Sequence, residues 1–454
     1  MMYILMHKNV EVLSFELSSK NYIDKIIDIY NMEHLPFSTS KDIKLNQKTI
    51  NEWWLDRSIP VSRDDYSNIT NNLPNDSSLS LVVKSHALSL NDQYWIKKDN
   101  EKIDYDDISF FSNKYSTDVG DIIVGIKNSG NGINYYSPDS TSNGNLKKRW
   151  QNINGKNYLL KAGSRPNQYE IFNEIIASKV MSMLNIEHVD YKFVVDNNHI
   201  YCASLNFISY NEDFVTAYQL KNSKKQRNDI SLYNHLLSIY KDIGIYNYQL
   251  VIDQMLFVDY ILGNTDRHLN NFGVIRDAKT LEFLRAAPIY DTGSCLGFNL
   301  TDEEFKHEYN IEWKPFQSNK YPNQLKIISN YSWLDIDALK SIPKEVDKLL
   351  GHYSAYINVS RRETIIEFLV KRINDVLGIL NEAEIKYVSS ELSLLERSVI
   401  NYIKSRNNEL YDLKDLEKET GYSYITIYRT VSSLTEKGIL IRVGSRKTGY
   451  WRLV

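Results

Sequence analysis

Residues 263–272 read GNTDRHLNNF and residues 288–293 read PIYDTG. The first stretch follows an apolar run over 251–262 of helical length, and Gly263-Asn264 can take the left-handed conformation that ends a helix. A polar loop carrying Asp266, His268, Asn270 and Asn271 is released there. The second stretch follows two short strand candidates, 272–275 and 282–286, around the turn RDAKT, so Asp291 arrives just beyond a hairpin. Asp, Asn and Asp are hard oxygen donors of the kind that suit Mg2+ bridging phosphates. Ligation by His268 would want further His or Cys nearby, and none stands in its sequence neighbourhood, so His268 reads equally as a hydrogen-bonded structural residue. Asp266 is the candidate general base, effective where an acceptor hydroxyl comes within hydrogen-bond reach.

Working upstream, residues 125–155 are loop-like, with Gly130, Gly132, Gly144 and Gly155 among Asn, Ser and Asp. Within them SPDSTSNGNLKKRW, from Ser137, is neither a Walker A loop nor a GxGxxG, although Lys147, Lys148 and Arg149 give it positive charge. A strand is expected over 157–162, containing Lys161. A helix follows over 168–184, with Phe172, Ile175, Ile176, Val180, Met183 and Leu184 at helical spacing. Glu174, or Glu170 one turn earlier on a similar face, can pair with Lys161, though an ordinary surface ion pair fits the same spacing. Strands over 191–195 and 200–205 turn at Asp196-Asn197-Asn198, and the chain beyond about Tyr218 is mostly helical to about Leu380. Phosphoryl transfer from a nucleotide needs a loop over the phosphates, a lysine to hold them, an acid orienting that lysine, a base and oxygen ligands for magnesium. This chain offers all of them in order.

Length and composition bound the alternatives. At ~150 residues per domain, 454 residues suggest three domains, and 42% hydrophobic with 24% charged is ordinary for a soluble globular chain. Cys202 and Cys295 alone make neither a disulfide framework nor a four-ligand zinc site, which points to a reducing compartment. No secretory signal or membrane span is legible, so a cytoplasmic location and no membrane partner are expected. A net charge of −3 argues against a chain coated with nucleic-acid-binding charge but permits one basic domain. Residues 3–17 alternate as a hairpin does, and Trp53-Trp54 and Tyr94-Trp95 are assigned to packing.

That basic domain is at the end. Helical candidates over 391–404, 412–420 and 424–437 precede GILIRVGSRKTGYWRLV, which reads as two strands around a turn. The order is that of a winged helix-turn-helix. From 421 onward six Lys or Arg face Glu436 alone. On the third helix Ile427, Val431 and Leu434 form the core stripe and leave Thr426, Arg429, Ser432 and Ser433 facing outward, types that suit a major-groove helix. Arg446 and Lys447 at the hairpin tip suit phosphate. A winged helix used for protein contact or dimerisation is the alternative.

The loop STSNGNLKK, the lysine in NYLLKAG, the helix NEIIASKVMSMLNI, the loop GNTDRHLNNF and the strand end PIYDTG together resemble the HipA-like serine/threonine kinase family over about residues 125–380. The resemblance implies an α+β fold with a two-lobed, protein-kinase-like core, an N-lobe over 125–210 and a mostly helical C-lobe over 211–380. Around it stand an N-terminal α/β module of unassigned role, 1–124, and the C-terminal winged helix, 391–454. It further implies ATP and Mg2+ as cofactors, Asp266 as the catalytic aspartate, Asn271 and Asp291 as metal ligands, and Lys161 as the phosphate-holding lysine. Nucleotide contacts would fall on Asn143, Gly144, Asn145, Leu146, Lys147 and Lys148, on a hinge at Leu205, Asn206 and Phe207, on His268 to Asn271, and on Tyr290. Thr141, with Ser140 and Ser142 as rivals, stands where some members autophosphorylate. A protein substrate, an antitoxin partner in a toxin–antitoxin or phage-related setting, and DNA on the winged helix complete the expectation. The alternative is a nucleotide-sensing transcriptional regulator with an inactive kinase-like core. The chain departs from the family in lacking a glutamine in the phosphate loop and in placing Asn206 where an acidic residue is common.

Overall fold

Apolar alternation near the start folds as β1 (Met2–His7) and β2 (Val10–Leu17), which pair antiparallel and are flanked by β3 (Ile23–Ile29) and, after the two-residue strands β4 (Ser40–Lys41) and β5 (Lys44–Leu45), by β6 (Tyr94–Lys98). The sheet order is β3-β2-β1-β6. The computed structural model describes residues 2–453 except 38, 42–43, 46, 62, 64–76, 128–131, 308–313, 317–323, 391–392, 407–408, 411, 438 and 444–448. The described chain divides into Met1–Ile373 and Asn374–Val454.

In the first unit, helix α1 (Gln47–Asp56) covers one face of the first sheet, and its Trp53 and Trp54 are buried with Leu13, Phe15 and Tyr94. The aromatic pairs are packing residues, as the sequence suggested. Helices α2 (Ser78–Lys84), α3 (Tyr105–Ile108) and α4 (Asp118–Val124) follow. The core does not stop at residue 124. Ile4, Met6, Leu88, Trp95, Tyr105 and Phe110 are buried in one cluster with Trp150, and Val119, Ile122 and Ile123 in another with Leu160 and Tyr201.

The second sheet has the order β7-β8-β10-β9, from β7 (Lys148–Ile153), β8 (Lys156–Lys161), β9 (Tyr191–Asp196) and β10 (His199–Leu205). Strands 157–162, 191–195 and 200–205 were legible. Strand β7 corrects the expectation of loop up to Gly155. Its sequence KRWQNI has no apolar alternation, because it is an edge strand whose Arg149 is buried by ion pairs with Asp121 and Asp196. Helix α5 (Tyr169–Met183) packs on this sheet, and a third sheet, β11-β12-β13, joins β11 (Glu212–Thr216), β12 (Gly273–Asp277) and β13 (Phe283–Ala286). Between β11 and β12 run α6 (Ala217–Ser223), α7 (Leu232–Asp242) and α8 (Tyr248–Leu262); α9 (Asp302–His307), α10 (Ile336–His352) and α11 (Val359–Ser390) come after β13. The polar segment 381–390, expected as a boundary, continues α11, since its Glu, Ala and Lys favour helix and it holds neither Gly nor Pro. Among the described residues no helix is long and apolar enough to cross a membrane.

The second unit, described by itself, carries α12 (Leu394–Lys404), α13 (Leu413–Thr420) and α14 (Tyr424–Glu436) with a sheet β14-β16-β15 formed by β14 (Glu409–Leu410), β15 (Leu440–Val443) and β16 (Tyr450–Leu453). Its core holds Val399, Ile403, Leu416, Ile427, Val431 and Leu434. The short β14 was not anticipated; two residues carry no periodicity.

The first and third sheets are joined by a buried polar network. Asp213 of β11 accepts from Arg276 at 2.8 Å and from the Gln93 amide at 3.0 Å, and pairs with His7 of β1 at 2.9 Å. Burial by itself raises the Asp213 carboxyl, but His7 and Arg276 outweigh it and hold the group well below the usual carboxylate range. Removing one partner of such a buried set leaves uncompensated charge. Asp213→Ala should cost about 3–5 kcal/mol in denaturant unfolding at neutral pH. A carboxyl depressed on folding contributes stability above its unfolded-state value, about 3.9, and loses it as pH falls through the lower folded-state value. The gap between wild type and variant should therefore narrow below about pH 4; a gap that stays constant into acid would contradict this account.

Candidate active site

Helix α8 is apolar along most of its length and ends at Gly263, whose φ of 64° is the left-handed stop anticipated from the sequence. Near its end Asp259 is fully buried, and it organises the loop that follows. Asn264 Nδ2 donates to Asp259 Oδ1 at 2.8 Å, and the Arg267 guanidinium meets the same carboxylate with Nε at 2.9 Å and NH2 at 3.0 Å. The remaining amino group of Arg267 donates to the carbonyls of Asn271 at 2.9 Å and Tyr290 at 2.6 Å. One buried cation thus fixes the polar loop and the residue before Asp291 to a common centre. Burial opposes the charge on Arg267, and Asp259 more than offsets it, so the guanidinium is held above its ordinary value. Asp259 and Arg267 were not singled out from sequence, and Asn264 only as part of the helix stop. The signal was present in GNTDRH, as an arginine in a loop that directly follows a helix with two buried acids, Asp253 and Asp259.

The loop itself is tightly wound. The His268 amide donates to the Asp266 carbonyl at 2.9 Å, the Asn271 amide to the His268 carbonyl at 2.9 Å, and Asn271 Nδ2 to the Asp266 carbonyl at 3.1 Å. Asp266 is left half-exposed with Lys314 Nζ at 3.3 Å from Oδ1. Tyr290 spans back to the loop, donating to the Asn270 carbonyl at 2.7 Å, and its ring lies 5.3 Å from Phe207. Its hydroxyl is pushed upward by burial and then by Asp291. Imidazole Nδ1 of His268 accepts from the Asn270 amide at 3.3 Å, a structural role within the loop.

Lys161 closes β8 and is buried. Its ammonium lies 2.9 Å from Glu174 Oε1, 2.6 Å from Asp291 Oδ1 and 3.4 Å from the Tyr191 hydroxyl. Glu174, rather than Glu170, is the partner; Glu170 accepts from the Ser164 amide instead. The other oxygen of Glu174 accepts from the Thr292 amide at 2.9 Å and hydroxyl at 2.7 Å, so helix α5 grips the chain just beyond Asp291. Asn173 adds donations to the carbonyls of Gly293 and Cys295. Burial disfavours charge on both Lys161 and Asp291, yet their attraction prevails, raising the ammonium and lowering the carboxyl. Asp291 takes a left-handed φ of 59°, unusual for a residue with a side chain.

The loop before β7 is held from outside. Its single 3-10 turn, Pro138–Thr141, is buried; Asp139 accepts from the Trp150 amide at 2.9 Å, and Thr141 donates its hydroxyl to the Leu88 carbonyl at 2.7 Å. Ser140 donates to the Tyr135 carbonyl at 3.0 Å, and Ser142 is buried as well. The three candidate acceptor hydroxyls are thus inside in this arrangement. Asn143 and Asn145 are exposed, and Gly144, Leu146, Lys147 and Lys148 are half-buried. Lys148 pairs in register with Lys161 on β8; burial first, then Arg63 and Lys161, lower its ammonium to about 7. At the expected hinge, Leu205 is exposed, while Asn206 spends its side chain on the Leu90 carbonyl at 3.0 Å and the Ile208 amide at 3.2 Å. Asn206 is therefore an anchor between segments, and any nucleotide contact there falls to backbone and to Phe207.

The structure brings Lys161, Glu174 and Asp291 into direct contact and ties Asp266, Asn271 and Tyr290 through Arg267. Asn271 commits its amide nitrogen and leaves its oxygen as an acceptor. Among the described residues no group of three or more His, Cys, Asp or Glu side chains is arranged to hold a metal. One carboxylate, one amide oxygen and phosphate oxygens form a donor set that suits Mg2+, which is usually held by one or two carboxylates plus substrate phosphates.

In the second unit Arg429 is exposed and Ser432 half-exposed on α14. Thr426 shares a hydrogen bond with Ser423 at 3.0 Å, and Ser433 donates to Glu396 of α12 at 2.8 Å. Ser433 is thus turned inward, a correction to its expected outward role, because Glu396 gathers it together with Lys437. The same helix exposes Tyr424, Ile425 and Tyr428. Arg446 and Lys447 lie outside the described residues.

No family model matches the chain. Its sequence is 28% identical over 156 residues to the serine/threonine-protein kinase CtkA of Helicobacter pylori, a match spanning 32% of this chain and about half, 48%, of that relative's length. Among solved structures, the Helicobacter pylori proinflammatory kinase CtkA aligns with a TM-score of 0.41 at 20% identity, over 53% of this chain and 95% of that one. The Shewanella oneidensis HipA, solved with HipB and operator DNA, aligns with a TM-score of 0.43 at 11% identity, over 84% and 98%. The chain is thus similar in sequence, over part of its length, to a serine/threonine kinase.

Arg267→Ala, which strands Asp259, should cost about 3–5 kcal/mol in denaturant unfolding. Arg267→Met combined with Asp259→Leu should recover much of that loss, since a buried pair replaced by apolar groups of similar volume is often neutral. Amide exchange at Asn271 should remain fast in the double variant, because the loop has lost its fixed point. Slow exchange there would show that Arg267 does not order the loop.

Proposed function

We propose that this chain is an ATP- and Mg2+-dependent serine/threonine protein kinase of the HipA-like type. The observation that carries the reading is the buried Lys161 ammonium held between Glu174 and Asp291. A lysine buried among acids and next to a basic loop is placed to meet phosphate oxygens, with Glu174 fixing its direction. The partial similarity to a serine/threonine kinase supports the same reading. Asp291 and Asn271 would hold the magnesium, which when bound neutralises the phosphate charge. Asp266, on the exposed side of the loop, would orient the acceptor hydroxyl and take its proton as the hydroxyl oxygen bonds to the γ-phosphorus; the bond from that phosphorus to the bridging oxygen of ADP breaks. Lys147, Lys148 and the loop 143–146 would cover the phosphates, with Phe207 and Tyr290 beside the nucleotide.

A protein substrate, the autophosphorylation of Thr141, and a toxin–antitoxin or phage-related setting with an antitoxin partner are the parts of this proposal that rest on the family resemblance alone. For the second unit we propose a winged helix that binds DNA. The order of three helices and two final strands supports it, as do the exposed Arg429 and the local excess of Lys and Arg.

Asp266→Ala should lower phosphate transfer from labelled ATP by about 10²–10⁴-fold with nucleotide affinity retained. Equal incorporation by variant and wild type would remove Asp266 from the chemistry. Wild-type protein that binds nucleotide yet transfers nothing to itself or to any acceptor would favour a nucleotide-sensing regulator. In the tail, Arg429→Ala should reduce the slope of log K against log salt for duplex DNA by about 1. An unchanged slope would move the function of this helix to protein contact, which its exposed Tyr424, Ile425 and Tyr428 would then serve.

A further inference from the structure

The residues expected to cover the phosphates, 143–148, are not held by their own lobe alone. Arg63, from the first 124 residues, is 2% exposed. Its Nε donates to the Gly144 carbonyl at 2.8 Å and its NH2 to the Ser142 carbonyl at 2.6 Å. One rigid guanidinium therefore binds the two carbonyls that flank Asn143. A trans peptide directs its N–H opposite to its C=O. With the oxygens of residues 142 and 144 turned onto Arg63, the N–H groups of Asn143 and Asn145 are directed to the opposite side of the loop. Amides directed to one side favour an anion there, whereas carbonyls pointing the same way would repel it.

A further observation places positive charge at the same loop. A β-carbon built on Gly144 would lie 2.5 Å from Lys148 Nζ, so the ammonium stands against the glycine that Arg63 holds, and the residue's φ of 96° is one that side chains rarely adopt.

We propose that Arg63 is a positioning residue of the nucleotide site: it turns the carbonyls of residues 142 and 144 away from the phosphates, so that the loop presents amides and Lys148 to them. The inference deepens the kinase reading and rests on it for the identity of the anion. The sequence from 1 to 124 then supplies part of the site. It does so without touching substrate, and the test must separate that role from general support of the fold.

The experiment is calorimetric titration of MgATP, MgADP and adenosine into the full chain, for wild type, Arg63→Ala and Arg63→Gln. Both variants should bind adenosine within about twofold of wild type and MgATP at least about tenfold more weakly, with MgADP between, because the defect scales with the number of phosphates. Equal weakening for adenosine and MgATP, or MgATP affinity within twofold of wild type in both variants, would overturn the proposal. A second arm needs no ligand. Trypsin should cut the unliganded Arg63→Gln protein after Lys147 or Lys148 faster than wild type while global unfolding is unchanged; cutting at the wild-type rate would show that Arg63 does not hold the loop. Wild-type protein that ignores all three ligands would defeat the kinase reading, and the proteolysis arm would still decide whether the clamp exists.

Discussion

The buried pair of Arg267 with Asp259 is the constraint from which the site is built. Each partner is fully buried, and either charge left alone would be expensive there. The pair is made acceptable by completeness: both carboxylate oxygens are engaged, and the remaining amino group of the guanidinium finds two carbonyls. Those carbonyls belong to Asn271 and Tyr290, so satisfying the charge and fixing the distance between the two oxygen-bearing segments are the same event. A hydrophobic replacement could supply comparable stability, but it would not bring the polar loop and the Asp291 segment to one point.

Helix α5 repeats this logic from the other side. Its buried face includes Asn173, Glu174 and Ser178 as well as Phe172 and Ile176. Every one of these polar groups has a partner, and most of those partners lie between residues 292 and 295 or on Lys161. Apolar packing sets where the helix lies, while the amide and carboxylate groups select which part of the chain lies against it. The left-handed turn at Asp291 is affordable because Glu174 and Asn173 hold the residues after it and Arg267 the residue before it.

Much of this was legible in residue order. The apolar stripe of 168–184, the glycine stop at 263 and the paired strands on either side of RDAKT are local signals, and local signals survive in a single sequence. Lys161 with Glu174 was legible because strand and helix are consecutive. What could not be read is what depends on contact between distant segments. Strand β7 has no alternation, since ion pairs bury its arginine. Asn206 was read only as a hinge contact, and its side chain also meets the Leu90 carbonyl, over a hundred positions earlier. Arg63 carried no motif whatever. Ser433 lay on the outward edge of its helix by periodicity, yet Glu396 draws it in.

Several contacts beside the candidate nucleotide site share a direction that bears on how the protein is organised. Thr141 bonds the Leu88 carbonyl, Asn206 the Leu90 carbonyl, and the carbonyls of Ser142 and Gly144 bond Arg63. In each case a segment beside the candidate nucleotide site takes an additional hydrogen bond from the first 124 residues. A loop rich in Gly, Asn and Ser loses much conformational entropy on ordering and offers little apolar surface in return. External carbonyls and one guanidinium supply what its own side chains do not. Residues that read as a separate N-terminal module thus act physically as the wall against which the loop 137–148 is shaped, and a change in their packing would be felt first at Gly144 and Lys148 rather than in the loop 264–271, which Arg267 secures independently.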